Sequence, residues 1–231
     1  MNTSPHPTGG NVRLPSDAGP LEGDLHLPAH ARALVLFAHG LGSNRWSPRD
    51  RAVARRLHAR GCGTLLFDLL TPAEAAAIDS TADFGFDLLL LARRLIAATR
   101  WAQGQRALAA LPLGYFGSCT GGGAVLVAAA ELGSQISAVV SRGGRPDLAG
   151  SCLLRVQSPT LLIAGGCDPD ILRINSEAFA RLNCVKALKV IPRAGHLFGE
   201  EGALDKVADW TAAWFVEHLV DADDVAAIPP A

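Results

Sequence analysis

Leu113-Gly114-Tyr115-Phe116-Gly117-Ser118-Cys119-Thr120-Gly121-Gly122-Gly123 passes from an apolar run into a glycine-flanked turn, followed by an alanine-rich segment of helical character. Its centre reads G-x-C-x-G, with Cys119 where a nucleophile-elbow pattern usually carries serine. A turn this tight lifts one side chain above the edge of a sheet. It also leaves the next backbone N–H free at a helix start, where developing negative charge is stabilised. The small flanking residues fit, because such a turn has no room for bulk. The five-residue pattern is weak by itself, so the rest of the chain must supply a base and an orienting group.

Working outward, apolar runs alternate with helical patterns. Ala33–Ala38 is a continuous apolar run closed by His39-Gly40-Leu41-Gly42, as expected of a strand covered on both faces. Further strands are predicted at Thr64–Asp68, Pro112–Phe116, Ile136–Val140, Pro159–Ala164 and Val185–Ile191. Helices are predicted over 48–60, 83–100, 120–132, 171–182 and 201–219, with 69–81 as a longer connection. Residues 11–33 read as a small antiparallel edge hairpin. This rhythm predicts an α/β fold with a doubly wound, mostly parallel sheet in three αβα layers and no large cap domain. The expected organisation is a flexible leader at 1–10, one domain over 11–220 and a loose tail at 221–231. Loops 42–48, 69–82, 142–151 and 193–200 would roof an open site.

The chain of 231 residues is 49% hydrophobic and 19% charged, which suits a compact globular protein rather than a disordered one. A formal net charge of -1 argues against broad attraction to nucleic acid. The arginines at 49, 51, 55, 56 and 60 have helical spacing and read as a solvated helix face. The five cysteines match neither a disulfide framework nor a zinc pattern. No signal peptide or bilayer-spanning run is visible, so the expected location is the cytoplasm, without membrane partners. Oligomeric state stays open between monomer and dimer.

Functional groups of a doubly wound sheet collect at the carboxyl ends of its strands. Those ends carry His39 to Leu41, Asp68, Cys119, Arg142, Asp168 and His196. A cysteine needs a base or a positive neighbour to react near neutral pH, and the base needs a third group to fix its tautomer. Cys119, Asp168 and His196 follow successive strand ends in the order nucleophile, acid, histidine. Asp170 competes with Asp168 as orienter, although it sits where a helix N-cap is expected, and Asp68 is a weaker competitor. The N–H groups of Thr120 and Leu41 are the candidate oxyanion donors. His39 reads as a structural hydrogen-bonding histidine, and Cys167 as a small residue packed under its turn. Trp46, Phe84, Phe86, Arg142 and Phe198 are candidate substrate-lining residues. Cys119, His39, Asp168 and His196 match no metal motif, and neither metal nor cofactor is expected.

These features resemble the dienelactone hydrolase family of the α/β-hydrolase superfamily over roughly residues 20–220. The resemblance rests on His39-Gly40-Leu41-Gly42, the elbow, Gly165-Gly166-Cys167-Asp168 and Gly195-His196-Leu197-Phe198. It implies an α/β-hydrolase fold and a Cys-His-Asp site on Cys119, His196 and Asp168. Many similar bacterial proteins carry serine at the elbow, which sets Cys119 apart. The arginines that hold an anionic lactone in the family have no assignable counterpart at Arg142 or Arg145. The expected activity is therefore hydrolysis of small-molecule carboxylic esters or lactones through an acyl-cysteine. Hydrolysis of activated phosphotriesters at the same site is one alternative. A non-catalytic scaffold with a redox-sensitive thiol is another.

Overall fold

The computed structural model describes residues 8–80 and 87–220. The leader through residue 7, the tail at 221–231, and Phe84 and Phe86 lie outside the described residues. Eight strands form one sheet: β1 Thr8–Leu14, β2 Leu21–Leu27, β3 Ala33–Ala38, β4 Cys62–Phe67, β5 Leu113–Ser118, β6 Ala138–Arg142, β7 Thr160–Gly165 and β8 Lys186–Ile191. Their spatial order is β1-β2-β4-β3-β5-β6-β7-β8. β1 and β2 form the antiparallel edge hairpin, β2 also pairs antiparallel with β4, and all other pairings are parallel. The helices are α1 Pro48–His58, α2 Pro72–Ser80, α3 Leu88–Gly104, α4 Thr120–Leu132, α5 Pro169–Arg181 and α6 Ala203–Leu219.

The central strands are buried along their whole length, so their apolar runs serve two cores rather than one. On β3, Leu34, Leu36 and Ala38 face α3 and α4, while Ala33, Val35 and Phe37 face α1 and α6. On β5, Tyr115 enters the first core and Phe116 the second, where its ring lies 4.8 Å from that of Phe37. The three layers follow from this alternation. No large cap domain intervenes among the described residues.

Helix starts follow local chemistry. Ser47 accepts the Asp50 N–H ahead of Pro48, and Asp87 accepts the Leu90 N–H to begin α3. Two roofing segments expected as loops are helical. In α2, Thr71 accepts the Glu74 N–H while the Glu74 carboxylate accepts the Thr71 N–H at 2.8 Å, a reciprocal capping box. The Thr71-Pro72-Ala73-Glu74 signature was legible, but the alanine-rich run behind it has no apolar stripe to mark a helix. Pro146–Arg155 forms two short 3-10 segments broken at Gly150, whose φ is 53°.

Candidate active site

Cys119 sits between β5 and α4 with φ 50° and ψ -121°, a conformation rare for a residue with a side chain. Such strain costs on the order of 1–3 kcal/mol and persists only where the surroundings enforce it. Here they do. The Cys119 N–H donates to the Arg142 carbonyl at 3.3 Å, and the Cys119 carbonyl accepts from Gly122 and Arg145, each at 3.0 Å. A Cβ on Gly121 would lie 2.1 Å from the Ala38 carbonyl oxygen, and one on Gly117 would lie 2.5 Å from that of Gly121. The strand, the turn and the helix thus touch backbone to backbone, which only glycine permits.

The Cys119 sulfur lies 3.3 Å from His196 Nε2, and His196 Nδ1 lies 2.8 Å from an Asp168 carboxylate oxygen. The other Asp168 oxygen accepts the Ile171 N–H at 3.3 Å and caps α5. One carboxylate therefore both caps a helix and meets the imidazole, and the cap role expected of Asp170 falls to Asp168. Asp170 is exposed in the first turn. Asp68 is also elsewhere, accepting the Arg45 backbone N–H at 2.8 Å and pairing with the Arg45 guanidinium. Burial pushes the Cys119 thiol up, opposed by Arg142 and reinforced by Asp50, with smaller effects from Arg49 and Asp168. Burial thus disfavours the thiolate, and a base beside the sulfur assists its ionisation.

Beneath Cys119 lies a buried ion pair that sequence reasoning did not find. The Arg142 guanidinium donates to Asp50 at 3.3 Å, and Ser118 donates to the same carboxylate at 3.4 Å. Arg142 is 3% exposed and stands 5.6 Å from the centre of the Phe198 ring, which is 1% exposed. Both were expected to line a substrate site, and both are instead packed under it. Phe198, at φ 54°, anchors the His196 loop in the core that α1 and α6 cover. Trp46 is 51% exposed and flanked by the Arg45 and Arg51 guanidinium groups. A proline-spaced arginine helix conveyed no hint that Asp50 would be buried; its partner is 92 residues away.

On the opposite side, the Leu41 N–H donates to the Thr120 hydroxyl at 2.8 Å. The Thr120 N–H has no acceptor among the described residues. Gly40 lets this loop approach, since a Cβ there would fall 2.7 Å from that of Cys119. His39 is buried and accepts the Leu69 N–H at Nε2, 3.1 Å away, which leaves Nδ1–H to donate to the Gly40 carbonyl at 2.9 Å. That is a structural role. Cys167 is exposed rather than packed under its turn. A cleft of about 420 Å³ opens beyond Gly40 and Leu41, bounded by Glu22, Arg45, Asp68, Leu70 and Leu91. Neither Cys119 nor His196 lines it.

No protein-family model matches the chain. Two proteins of Mycobacterium tuberculosis, from strains CDC 1551 / Oshkosh and H37Rv, are 50% identical over 208 residues, which is 90% of this chain. Each is named a "putative phosphoribosyl transferase", and the chain spans only 46% of their length. The crystal structure of a dienelactone hydrolase from Anabaena variabilis is 48% identical, with a TM-score of 0.89 over 93% of this chain and 100% of that one. Est1E from Butyrivibrio proteoclasticus shares the fold at 15% identity and a TM-score of 0.77, over 92% of this chain and all of its own. A dienelactone hydrolase-like promiscuous phosphotriesterase from metagenomic libraries shares it at 22% and 0.73, over 93% and 99%. With nearly half its residues identical to the Anabaena protein along that protein's whole length, the chain belongs to the dienelactone hydrolase family of α/β-hydrolases.

Proposed function

We propose that the chain hydrolyses small-molecule carboxylic esters or lactones through an acyl-cysteine, with Cys119 as nucleophile, His196 as general base and acid, and Asp168 as orienter. The observation that carries this reading is the pair of contacts at 3.3 and 2.8 Å linking the strained cysteine, the histidine and the aspartate. With its Nε2 3.3 Å from sulfur, His196 takes the thiol proton as sulfur attacks. The new S–C bond pushes the carbonyl π electrons onto oxygen. His196 then returns the proton to the departing alkoxide as the C–O bond breaks. In the second half, water loses a proton to His196 and adds to the thioester, and the thiolate leaves and is reprotonated. Asp168 holds His196 in the tautomer whose Nε2 faces sulfur.

The name phosphoribosyl transferase belongs to the longer mycobacterial proteins, of whose length this chain spans 46%. A second reading, hydrolysis of activated phosphotriesters, is favoured by the soft sulfur nucleophile beside the exposed rim residues Leu41 and Leu197. The test is turnover of p-nitrophenyl esters, lactones and a paraoxon-like triester by wild type, Cys119→Ala and His196→Ala. Ester turnover with an acyl group trapped on Cys119, falling by about 10⁴-fold or more in either variant, is expected. Undiminished turnover in Cys119→Ala would remove the acyl-cysteine reading. A single-equivalent burst with the triester, leaving dead protein, would remove the second.

A further inference from the structure

The contact between the Leu41 N–H and the Thr120 hydroxyl changes how negative charge is held if Cys119 attacks a carbonyl. The Leu41 hydrogen points at Thr120 Oγ1, 2.8 Å away, so this N–H is already engaged in the resting site. The hydroxyl accepts that bond, while its own proton has no acceptor among the described residues. Thr120 is also the first residue of α4, directly after the nucleophile, and its backbone N–H is unpaired among the described residues. A threonine at a helix start can aim its N–H and O–H at one oxygen, because the two donors share a Cα–Cβ unit.

We propose that the Thr120 hydroxyl is a catalytic side chain: it donates the second hydrogen bond to the oxyanion, and the Leu41 N–H acts through it. This rests on the acyl-cysteine reading above. As sulfur adds and the π pair moves to oxygen, the anion accepts from both the N–H and the O–H of Thr120. No proton is transferred in this step. The Leu41 N–H, donating into the same hydroxyl oxygen, polarises the O–H and strengthens its bond to the anion. It also fixes the rotamer in advance, so no reorganisation is needed when charge develops. Leu41 is then a positioning residue, and the loop that carries it presents a side-chain donor rather than its own.

Thr120→Val removes the hydroxyl while keeping shape, and Thr120→Ser keeps the hydroxyl. If the proposal holds, kcat for p-nitrophenyl acetate falls about 10²-fold in Thr120→Val with KM little changed, and Thr120→Ser recovers most of it. Alkylation of Cys119 by iodoacetamide develops no oxyanion, so its rate should be retained in Thr120→Val. A wild-type or higher kcat in Thr120→Val would show that Leu41 serves the oxyanion directly once uncovered, overturning the proposal while the acyl-cysteine reading stands. Equal loss of turnover and alkylation would make the hydroxyl a structural pin, which also overturns it. Absence of ester turnover in wild type would end both readings together.

Discussion

Behind Cys119, strand, turn and helix meet through Gly117 and Gly121 with backbone in contact with backbone. In front of it, the loop from Gly40 to Trp46 is held by polar bonds: Leu41 to Thr120, Arg45 to Asp68, and the Trp46 N–H to the Asn44 side chain at 2.9 Å. The rear wall is a packing device, where any added atom meets something that cannot move. The front wall exposes Leu41, Gly42, Ser43 and Asn44, and water can replace its bonds when they break. Rear substitutions should therefore act on folding, and front substitutions mainly on chemistry at a smaller cost in stability.

Gly121→Ala should break this contrast most sharply if the packing account is wrong. The new Cβ at 2.1 Å from a strand carbonyl has no flexible neighbour to displace. The expected cost is at least about 4 kcal/mol, the exceptional end of single substitutions. At about 2–4 °C per kcal/mol, the melting temperature followed by circular dichroism should drop by roughly 10 °C or more. A melt within a degree or two of wild type would refute it.

The ion pair under the site tests whether the rear wall also carries electrostatics. Arg142→Met leaves the buried Asp50 carboxylate without its cation, at a cost of about 3 kcal/mol read by denaturant melts. Asp50 raises the Cys119 thiol, so Asp50→Asn should move its ionisation to lower pH. Wild type, with its thiol held up, should still gain iodoacetamide reactivity with pH after an ordinary thiol has ionised. An unmoved profile in Asp50→Asn would mean that the field of this pair does not reach the sulfur.

The smallest stability effect is expected at the front. Asp68→Ala removes the acceptor of the Arg45 backbone and side chain, a largely buried contact whose loss should cost about 2 kcal/mol. Turnover should nevertheless fall about tenfold, because the Leu41 loop loses its tether and positional errors of an ångström are costly in catalysis. Equal effects on stability and turnover would erase the distinction between the walls.

Much of this was legible in the chain. The strand and helix rhythm, the edge hairpin and the strand-end positions of Cys119, Asp168 and His196 follow from local apolar patterning. Helix α2 was missed because its capping box precedes an alanine run without periodicity. The lining expected of Arg142 and Phe198 failed for a different reason: a strand-end or loop position does not say whether a side chain turns toward solvent or under the loop.

By itself, then, the sequence determined that a doubly wound sheet would bring a cysteine, an acid and a histidine to one edge, because burial periodicity and turn glycines act over a few residues. Only the tertiary structure decided that Asp168 both caps α5 and meets His196, and that Asp50 and Arg142 pair beneath the site. It also decided that Leu41 spends its N–H on Thr120, 79 residues later. Those contacts depend on β3 and β5 lying side by side with α1 and α4 on opposite faces. No local pattern specifies which side chains such an arrangement will bring within hydrogen-bonding distance.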